Sequence, residues 1–286
     1  MTNNEMVTRK YSFSNITVDC FFNAKFSMLK ELVNKENTFL ITDENVFAKQ
    51  ADKFAGWKTI VLKPGEPCKN QDSVNYAIDQ LIQLQADRQS FIVGVGGGVI
   101  TDIAGFVASI YMRGIKFGFV PTSILAMVDA SVGGKNGIDV GVYKNLVGVI
   151  NHPQFLLYDY SFLDTLPDEE WVNGFAEIIK HACIKDAPMF HLLQESTIAG
   201  FQSSTGNIGE LIQQNVEIKY NVVANDEREA GDRKLLNFGH TIGHAIENAA
   251  GLPHGSAISI GMMLACTISE KISNFSNEET EKIRSL

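Results

Sequence analysis

The first half of the chain alternates compact apolar runs with amphipathic stretches. The apolar runs cover residues 38–42, 58–62, 91–95 and 117–121. Runs of this kind are typical of buried strands, whereas the apolar spacing over residues 75–85 and 100–112 predicts helices. Because strands that alternate with helices form parallel sheets with helices on both faces, we predict a Rossmann-like α/β domain.

The strand pattern ends at Pro167, and the second half is helical in character. The predicted helices cover residues 168–184, 187–198, 205–223, 238–249 and 255–273, and Asn277 is predicted to cap one more. We therefore predict an all-α second domain. The division is expected within residues 152–166, which gives an α/β domain over 1–160 and a helical domain over 161–286.

Composition narrows the classes of function. Hydrophobic residues make up 45% of the chain, charged residues 20%, and the net charge is −9 with no basic cluster, which argues against nucleic acid or a membrane as partner. No apolar run of about 18 residues predicts a membrane span. The four cysteines stand singly and the N-terminus lacks an apolar signal core, so a cytoplasmic protein with reduced thiols is expected.

A glycine cluster from Gly94 to Gly98 joins a predicted strand to a predicted helix. Glycines let backbone amides approach a pyrophosphate, and the helix adds its positive N-terminus. The cluster departs from the standard dinucleotide fingerprint because Val99 stands where a third glycine is expected, and a tight turn explains it equally well. Polar strings at residues 42–45 and 64–69 follow two other strands and allow either nucleotide contacts or turn chemistry.

Two histidines four residues apart, His240 and His244, lie on one face of a predicted helix, and His254 follows. Imidazole is a common ligand of transition metals, and Glu177, on a helix with Lys180, would complete a His/His/Glu set. The spacing alone selects His240 and His244 as ligands. A histidine in the core or at a helix cap is the alternative.

Polar groups also accumulate in several apolar contexts. They are Arg113, Asp129, Lys135, Lys144, Asn145, Lys219, Glu229, Arg233 and Asn237. Cations near a cleft in an acidic protein favour a small anionic substrate, phosphate or carboxylate. A solvated, salt-bridged surface remains equally open for any one of them.

Together these strings resemble the 3-dehydroquinate synthase family of sugar phosphate cyclases. The matching strings, in family order, are GGGVITD (96–102), YMRG (111–114), VPTS (120–123), VDASVGGK (128–135), GVYKN (141–145), GFAEIIK (174–180), LNFGHTIGH (236–244) and HG (254–255). Single strings, above all the glycine cluster, are shared with glycerol dehydrogenase-like enzymes.

The resemblance implies roles for named residues. A divalent metal, Zn2+ or Co2+, would be held by Glu177, His240 and His254, a set that replaces the choice made from spacing. NAD would contact Asp43, Asn45, Glu66, Lys69, Gly97, Gly98, Asp102, Thr122, Ser123, Lys144 and Thr165. Substrate would be bound by Arg113, Lys135, Asn145, Arg233 and Asn237, and the catalytic groups would be Lys180, His244, Asp129 and Lys219. Arg113 is expected to reach across a homodimer.

The implied reaction converts 3-deoxy-D-arabino-heptulosonate 7-phosphate to 3-dehydroquinate and phosphate, with NAD used catalytically. Two positions depart from the family: Ser256 replaces a usual Glu and is expected to loosen the surroundings of His254, and Thr101 replaces a common Gly. The family continues past Leu286, so a C-terminal part is expected to be missing.

Three alternatives remain open from the sequence. The first is another cyclase, such as a 2-deoxy-scyllo-inosose or aminodehydroquinate synthase. The second is a metal-dependent polyol dehydrogenase, and the third is a non-catalytic binding relative.

Overall fold

A computed structural model describes residues 5–286 of the chain. The chain forms two compact units, Met1–Leu166, here called the sheet unit, and Pro167–Leu286, the helical unit. The short 3₁₀ helix Tyr160–Thr165 falls after the division predicted at residue 160 and belongs to the sheet unit. Residues 1–4 of the polar N-terminus lie outside the described residues.

The sheet unit is built on a mostly parallel sheet. Its strands are β1 (Val7–Ser12), β2 (Thr17–Phe22), β3 (Thr38–Asp43), β4 (Lys58–Leu62), β5 (Phe91–Gly96), β6 (Lys116–Pro121), β7 (Lys135–Val140), β8 (Tyr143–Ile150) and β9 (Phe155–Tyr158). Seven of them form one sheet in the order β1-β2-β9-β6-β5-β3-β4, in which only β1 and β2 pair antiparallel. Strands β7 and β8 form a separate antiparallel hairpin.

Helices cover both faces of this sheet. They are α1 (Leu29–Leu32), α2 (Glu44–Lys49), α3 (Ala51–Phe54), α4 (Gln71–Gln83) and α5 (Gly98–Ile110). Leu40 of β3 and Val93 of β5 pack in one cluster with Phe54 of α3. Successive strand residues face opposite sides, and on the other side Gly94 admits α5: a Cβ at Gly94 would lie 2.8 Å from the Cβ of Ala104. The predicted Rossmann-like α/β class is confirmed.

The strands predicted from apolar runs are β3, β4, β5 and β6, and each is confirmed to within one residue at either end. None of the apolar runs that predict strands covers β1, β2, β9 or the β7–β8 hairpin. Strand β8 is exposed along most of its length and contains Gly148, so neither a buried run nor regular alternation marks it. After β6 the chain forms a short helical segment that ends in a wide turn, Ala126–Ala130, where the Ser131 N–H donates to the Ala126 carbonyl.

The helical unit follows the prediction of an all-α fold. Its helices are α6 (Asp168–Lys185), α7 (Ala187–Gln194), α8 (Ile198–Gln202), α9 (Thr205–Asn225), α10 (His240–Ala250), α11 (His254–Ser273) and α12 (Asn277–Arg284). The helix predicted over 187–198 is confirmed at its start but ends at Gln194, and Thr197 caps a new helix by accepting the Gly200 N–H. The cap predicted at Asn277 is also wrong: Ser276 accepts the Glu279 N–H instead.

Helices α10 and α11 approach each other backbone to backbone. A Cβ on Gly261 would lie 2.0 Å from the Gly239 carbonyl oxygen, and one on Gly243 would lie 3.0 Å from the Ala257 carbonyl oxygen. Gly239 also has a φ of 81°, which suits a residue without a side chain. The two histidine-bearing helices therefore pack as one rigid pair. Within residues 5–286 no helix has the length and apolar character to cross a membrane.

Candidate active-site residues

In the sheet unit, the carboxyl ends of β3 and β5 flank the point where strand order reverses. The chain leaves β3 towards β4 on one side and leaves β5 towards β6 on the other. Ligands bind outside such a point in open α/β sheets. Asp43, at the end of β3, caps α2 by accepting the N–H groups of Asn45 at 2.9 Å and Val46 at 3.0 Å. Burial raises the pKa of Asp43 above its usual value.

The glycine cluster lies between β5 and α5, as predicted, with Gly98 opening the helix. A Cβ on Gly97 would lie 3.4 Å from the Ser123 hydroxyl oxygen, and one on Gly98 would lie 3.2 Å from the Ala130 Cβ. Thr122, after β6, donates its N–H to the Gly96 carbonyl at 3.0 Å. The predicted NAD residues at the ends of β5 and β6 are thus neighbours.

A polar network around the buried Lys69 gathers five predicted residues. Lys69, 6% exposed, lies with its Nζ 2.5 Å from Asp102 Oδ2 and 2.5 Å from Asn145 Oδ1. Lys144 pairs with Glu66 at 3.2 Å. Burial opposes the charge on Lys69, but the carboxylates of Asp102 and Glu66 outweigh it and raise the pKa of Lys69.

Asp139 belongs to this network and was missed by the sequence analysis. Its carboxylate accepts the Asn145 N–H at 2.7 Å, and its own N–H donates to the Lys69 carbonyl at 2.8 Å. Asn145 has a φ of 53°, a left-handed conformation that Asn tolerates better than most residues. An Asp two residues before the Gly141 turn was the available signal.

Four predicted residues lie elsewhere in the sheet unit. Arg113 follows the C-terminal end of α5, whereas the glycine cluster is at its start, and a helix of 13 residues is about 20 Å long. Asp129 lies in the wide turn after β6, and Lys135 begins β7 with an exposed side chain. The Thr165 hydroxyl accepts from Gln50 at 3.1 Å.

In the helical unit, Glu177, His240 and His254 converge. The Glu177 carboxylate is fully buried, and its Oε1 lies 3.4 Å from His240 Nε2 and 3.3 Å from His254 Nε2. One ligand atom from each residue lies within 4.8 Å of the others. Two imidazoles and a carboxylate form the donor set of several catalytic zinc sites. These residues therefore fit a divalent metal ion.

Helix packing brings the three ligands together. Glu177 comes from the middle of α6, and His240 and His254 open α10 and α11. A Cβ on Gly255 would lie 2.5 Å from the Asn173 Cα, and the Gly255 N–H donates to the Asn173 side-chain oxygen at 3.0 Å. The start of α11 therefore packs directly against α6 at Asn173, which is one helical turn before Glu177.

The metal-ligand cluster contains several charged groups that interact directly. Lys180 pairs with Glu177 Oε2, and both side chains are buried. Burial disfavours a charged His254, but hydrogen bonds to Glu177 and Glu247 outweigh it and raise the pKa of His254 to about 9. The metal-free His254 ring is therefore protonated on both nitrogens at neutral pH, and a bound metal would displace one of these protons.

The remaining predicted residues occupy neighbouring elements of the helical unit. His244 lies on α10 with its ring centroid 5.2 Å from that of His240, and Lys219 is buried on α9. Arg233 is 2% exposed and donates to the Glu227 carbonyl at 2.6 Å, while the Asn237 amide donates to Glu229 at 2.5 Å.

Comparison with solved structures defines the class of fold. The chain is similar to 2-deoxy-scyllo-inosose synthase complexed with carbaglucose-6-phosphate, NAD+ and Co2+, with a TM-score of 0.85 and 24% identity over 97% of this chain and 79% of that chain. It is similar to 2-epi-5-epi-valiolone synthase from Streptomyces hygroscopicus with NAD+ and Zn2+ bound, with a TM-score of 0.86 and 25% identity over 96% and 81% of the two chains. The fold is that of the sugar phosphate cyclases.

Sequence comparisons narrow the class to one family. A model described as 3-dehydroquinate synthase N-terminal matches residues 59–173, and its C-terminal counterpart matches residues 174–286. The 3-dehydroquinate synthase of Clostridium botulinum is 40% identical over 92% of this chain and 78% of its own length. That of Nitratiruptor is 42% identical over 79% of this chain and 65% of its own length. The chain belongs to the 3-dehydroquinate synthase family and spans about two thirds of several curated relatives.

Proposed function

We propose that this chain catalyses the 3-dehydroquinate synthase reaction. It would convert 3-deoxy-D-arabino-heptulosonate 7-phosphate to 3-dehydroquinate and phosphate, a step of the shikimate pathway to aromatic amino acids. The observation that carries this proposal is the convergence of Glu177, His240 and His254 beside Lys180 in a family member. The 40–42% identity to curated synthases favours this substrate over those of the cyclases with solved structures, at 24–25%.

NAD and a divalent metal are the proposed cofactors. Two structures of the same fold contain NAD+ together with Co2+ or Zn2+. NAD, when bound, would accept and return a hydride at C5 of the substrate. The metal, when bound, would act as a Lewis acid on the C4 and C5 hydroxyl oxygens.

The residues of this chain would bind and orient the reactants. Lys180 would keep the buried Glu177 carboxylate charged, so that it remains a ligand. Three cationic or protonatable groups are suited to an anionic substrate: Lys219, His244 and Arg233. Binding the substrate in one orientation lowers the entropy that is lost on reaching the transition state. In the sheet unit, Lys69 would keep Asp102 in a fixed position for NAD and Asn145 in a fixed position for substrate.

A homodimer is proposed as the working form. Arg113 follows the far end of α5 from the glycine cluster, which supports the expectation that it serves a partner's substrate. A cytoplasmic location is proposed from the single, free cysteines.

The experiment is an assay of phosphate release from the heptulosonate phosphate with substoichiometric NAD and added Zn2+ or Co2+. The expected result is many phosphates released for each NAD, with no net NADH. Accumulation of NADH with turnover would instead indicate a polyol dehydrogenase. Release of phosphate only from glucose 6-phosphate would indicate an inosose-type cyclase, and NAD binding without any turnover would indicate a binding relative.

A further inference from the structure

His254 lies between two carboxylates. Its Nε2 is 3.3 Å from Glu177 Oε1, and its Nδ1 is 3.3 Å from Glu247 Oε2. The Glu247 side chain is 9% exposed and the His254 side chain 26% exposed. A carboxylate with so little water around it needs a partner that donates to it, and the His254 ring is placed to be such a partner.

The two ring nitrogens of His254 therefore have different tasks. A neutral imidazole has one N–H donor and one lone pair, and a hydrogen bond at one nitrogen decides where the proton stays. If Nδ1–H donates to Glu247, the lone pair remains on Nε2, which faces Glu177 and the neighbouring His240. A carboxylate on the far nitrogen also makes the ring a stronger ligand.

Glu247 is also well supported for this task. It lies two turns after His240 on α10, on the same face of the helix, because residues seven apart align. Helices α10 and α11 touch through the backbones at Gly243 and Gly261. Glu247 and His254 are consequently held by two helices that cannot easily slide against each other.

A second group of donor atoms, from His244, Glu247 and His254, also lies within 4.8 Å. In this group Glu247 lies beside His254 Nδ1, so its use as a metal site would leave His240 and the fully buried Glu177 without the third member of their set. The two groups thus compete for one ring, and the burial of Glu177 favours the first.

We propose that Glu247 is a positioning residue that fixes the tautomer and orientation of His254 for metal binding. This inference depends on the proposed metal site of Glu177, His240 and His254. It assigns to Glu247 no contact with metal or substrate.

The test measures Zn2+ affinity of the full chain by competition with a chromogenic chelator. Glu247→Ala should weaken binding by about 10–100-fold, the usual effect of losing such an outer partner. Glu247→Gln keeps an acceptor for Nδ1–H without the charge, so its affinity should lie between those of Glu247→Ala and the parent. Glu210→Gln, an exposed position on α9, is the matched control and should bind as the parent does.

A structural role alone would not give this graded order. Co2+-loaded Glu247→Gln should also show a shifted visible absorption spectrum, while apoprotein unfolding stays near that of the parent. Affinity in both Glu247 variants within about twofold of the parent, against the larger change expected for an outer partner, would overturn the inference. Loss of Zn2+ in His244→Ala would also overturn it, because the metal would then lie in the second group, where Glu247 is a ligand. If Glu177→Gln retains Zn2+, the proposed metal site itself fails, which is a separate result.

Discussion

The two units assemble their candidate residues by different means. In the sheet unit, the residues follow strand ends and are joined by ion pairs and hydrogen bonds, such as those of Lys69 with Asp102 and Asn145. In the helical unit, the ligands stand on helices whose backbones touch at glycines. The geometry of the first therefore depends on individual side-chain pairs, and that of the second depends on how whole helices pack.

The largest effect is expected from removing a ligand in the helical unit. His254→Ala should abolish metal binding, because the third donor is lost and Glu177 keeps only His240. His244→Ala should keep the metal and lose turnover. Metal analysis of both dialysed variants, with phosphate release as a second readout, checks this. The reverse pattern would refute the ligand assignment.

The sheet unit should respond most strongly to the loss of its central cation. Lys69→Met leaves the Asp102 carboxylate, whose side chain is 16% exposed, without its buried partner. Breaking such a pair costs about 3 kcal/mol, and denaturant unfolding measures it. Lys63→Met removes a cation paired with Glu44 at 74% and 50% exposure and should leave stability unchanged. Equal effects of the two variants would contradict the importance of the network.

Packing of α10 on α11 can be tested with one added methyl group. Gly261→Ala would place a Cβ 2.0 Å from the Gly239 carbonyl oxygen, and such overpacking costs about 1–3 kcal/mol. Metal affinity should fall with stability, since both helices carry a ligand. Gly200→Ala, on α8, meets only the Thr197 hydroxyl at 3.4 Å and serves as the control in thermal unfolding. A tolerated Gly261→Ala with full metal affinity would argue against a rigid helix pair.

The smallest effect concerns acid stability of the sheet unit. Burial disfavours charge on Asp159, but hydrogen bonds from Ser161 and the Phe26 N–H, together with Lys53, outweigh it and lower the pKa of Asp159 below its usual 3.8. A lowered pKa stabilises the fold above pH 3.8, and this contribution disappears as the pH falls through the folded-state pKa.

Asp159→Asn should therefore lose about 1–2 kcal/mol at neutral pH and lose less stability than the parent on acidification. Urea unfolding between neutral pH and pH ~3, just below the ordinary carboxyl value, measures both. A variant with the parent's acid dependence would contradict the assignment. The metal cluster should be unaffected.

The same difference between the two units decides which strands and site residues could be predicted from the sequence. The apolar runs of β3, β5 and β6 predict a parallel sheet because both faces of these strands are buried, and the edge strand β4 is found from its own short apolar run. Strand β8 gives no such signal, because most of its side chains are exposed. For the site, the family strings lead to Glu177, His240 and His254, whereas Asp139 and Glu247 escape notice. Their contacts arise from pairing and helix packing, which a linear pattern does not contain.

The most direct measurement is a crystal structure of the protein with NAD and Zn2+. The account predicts one ion within about 2.1 Å of a Glu177 oxygen and of Nε2 of His240 and His254. Density for the ion among His244, Glu247 and His254, or no ion near Glu177 at saturating Zn2+, would contradict it.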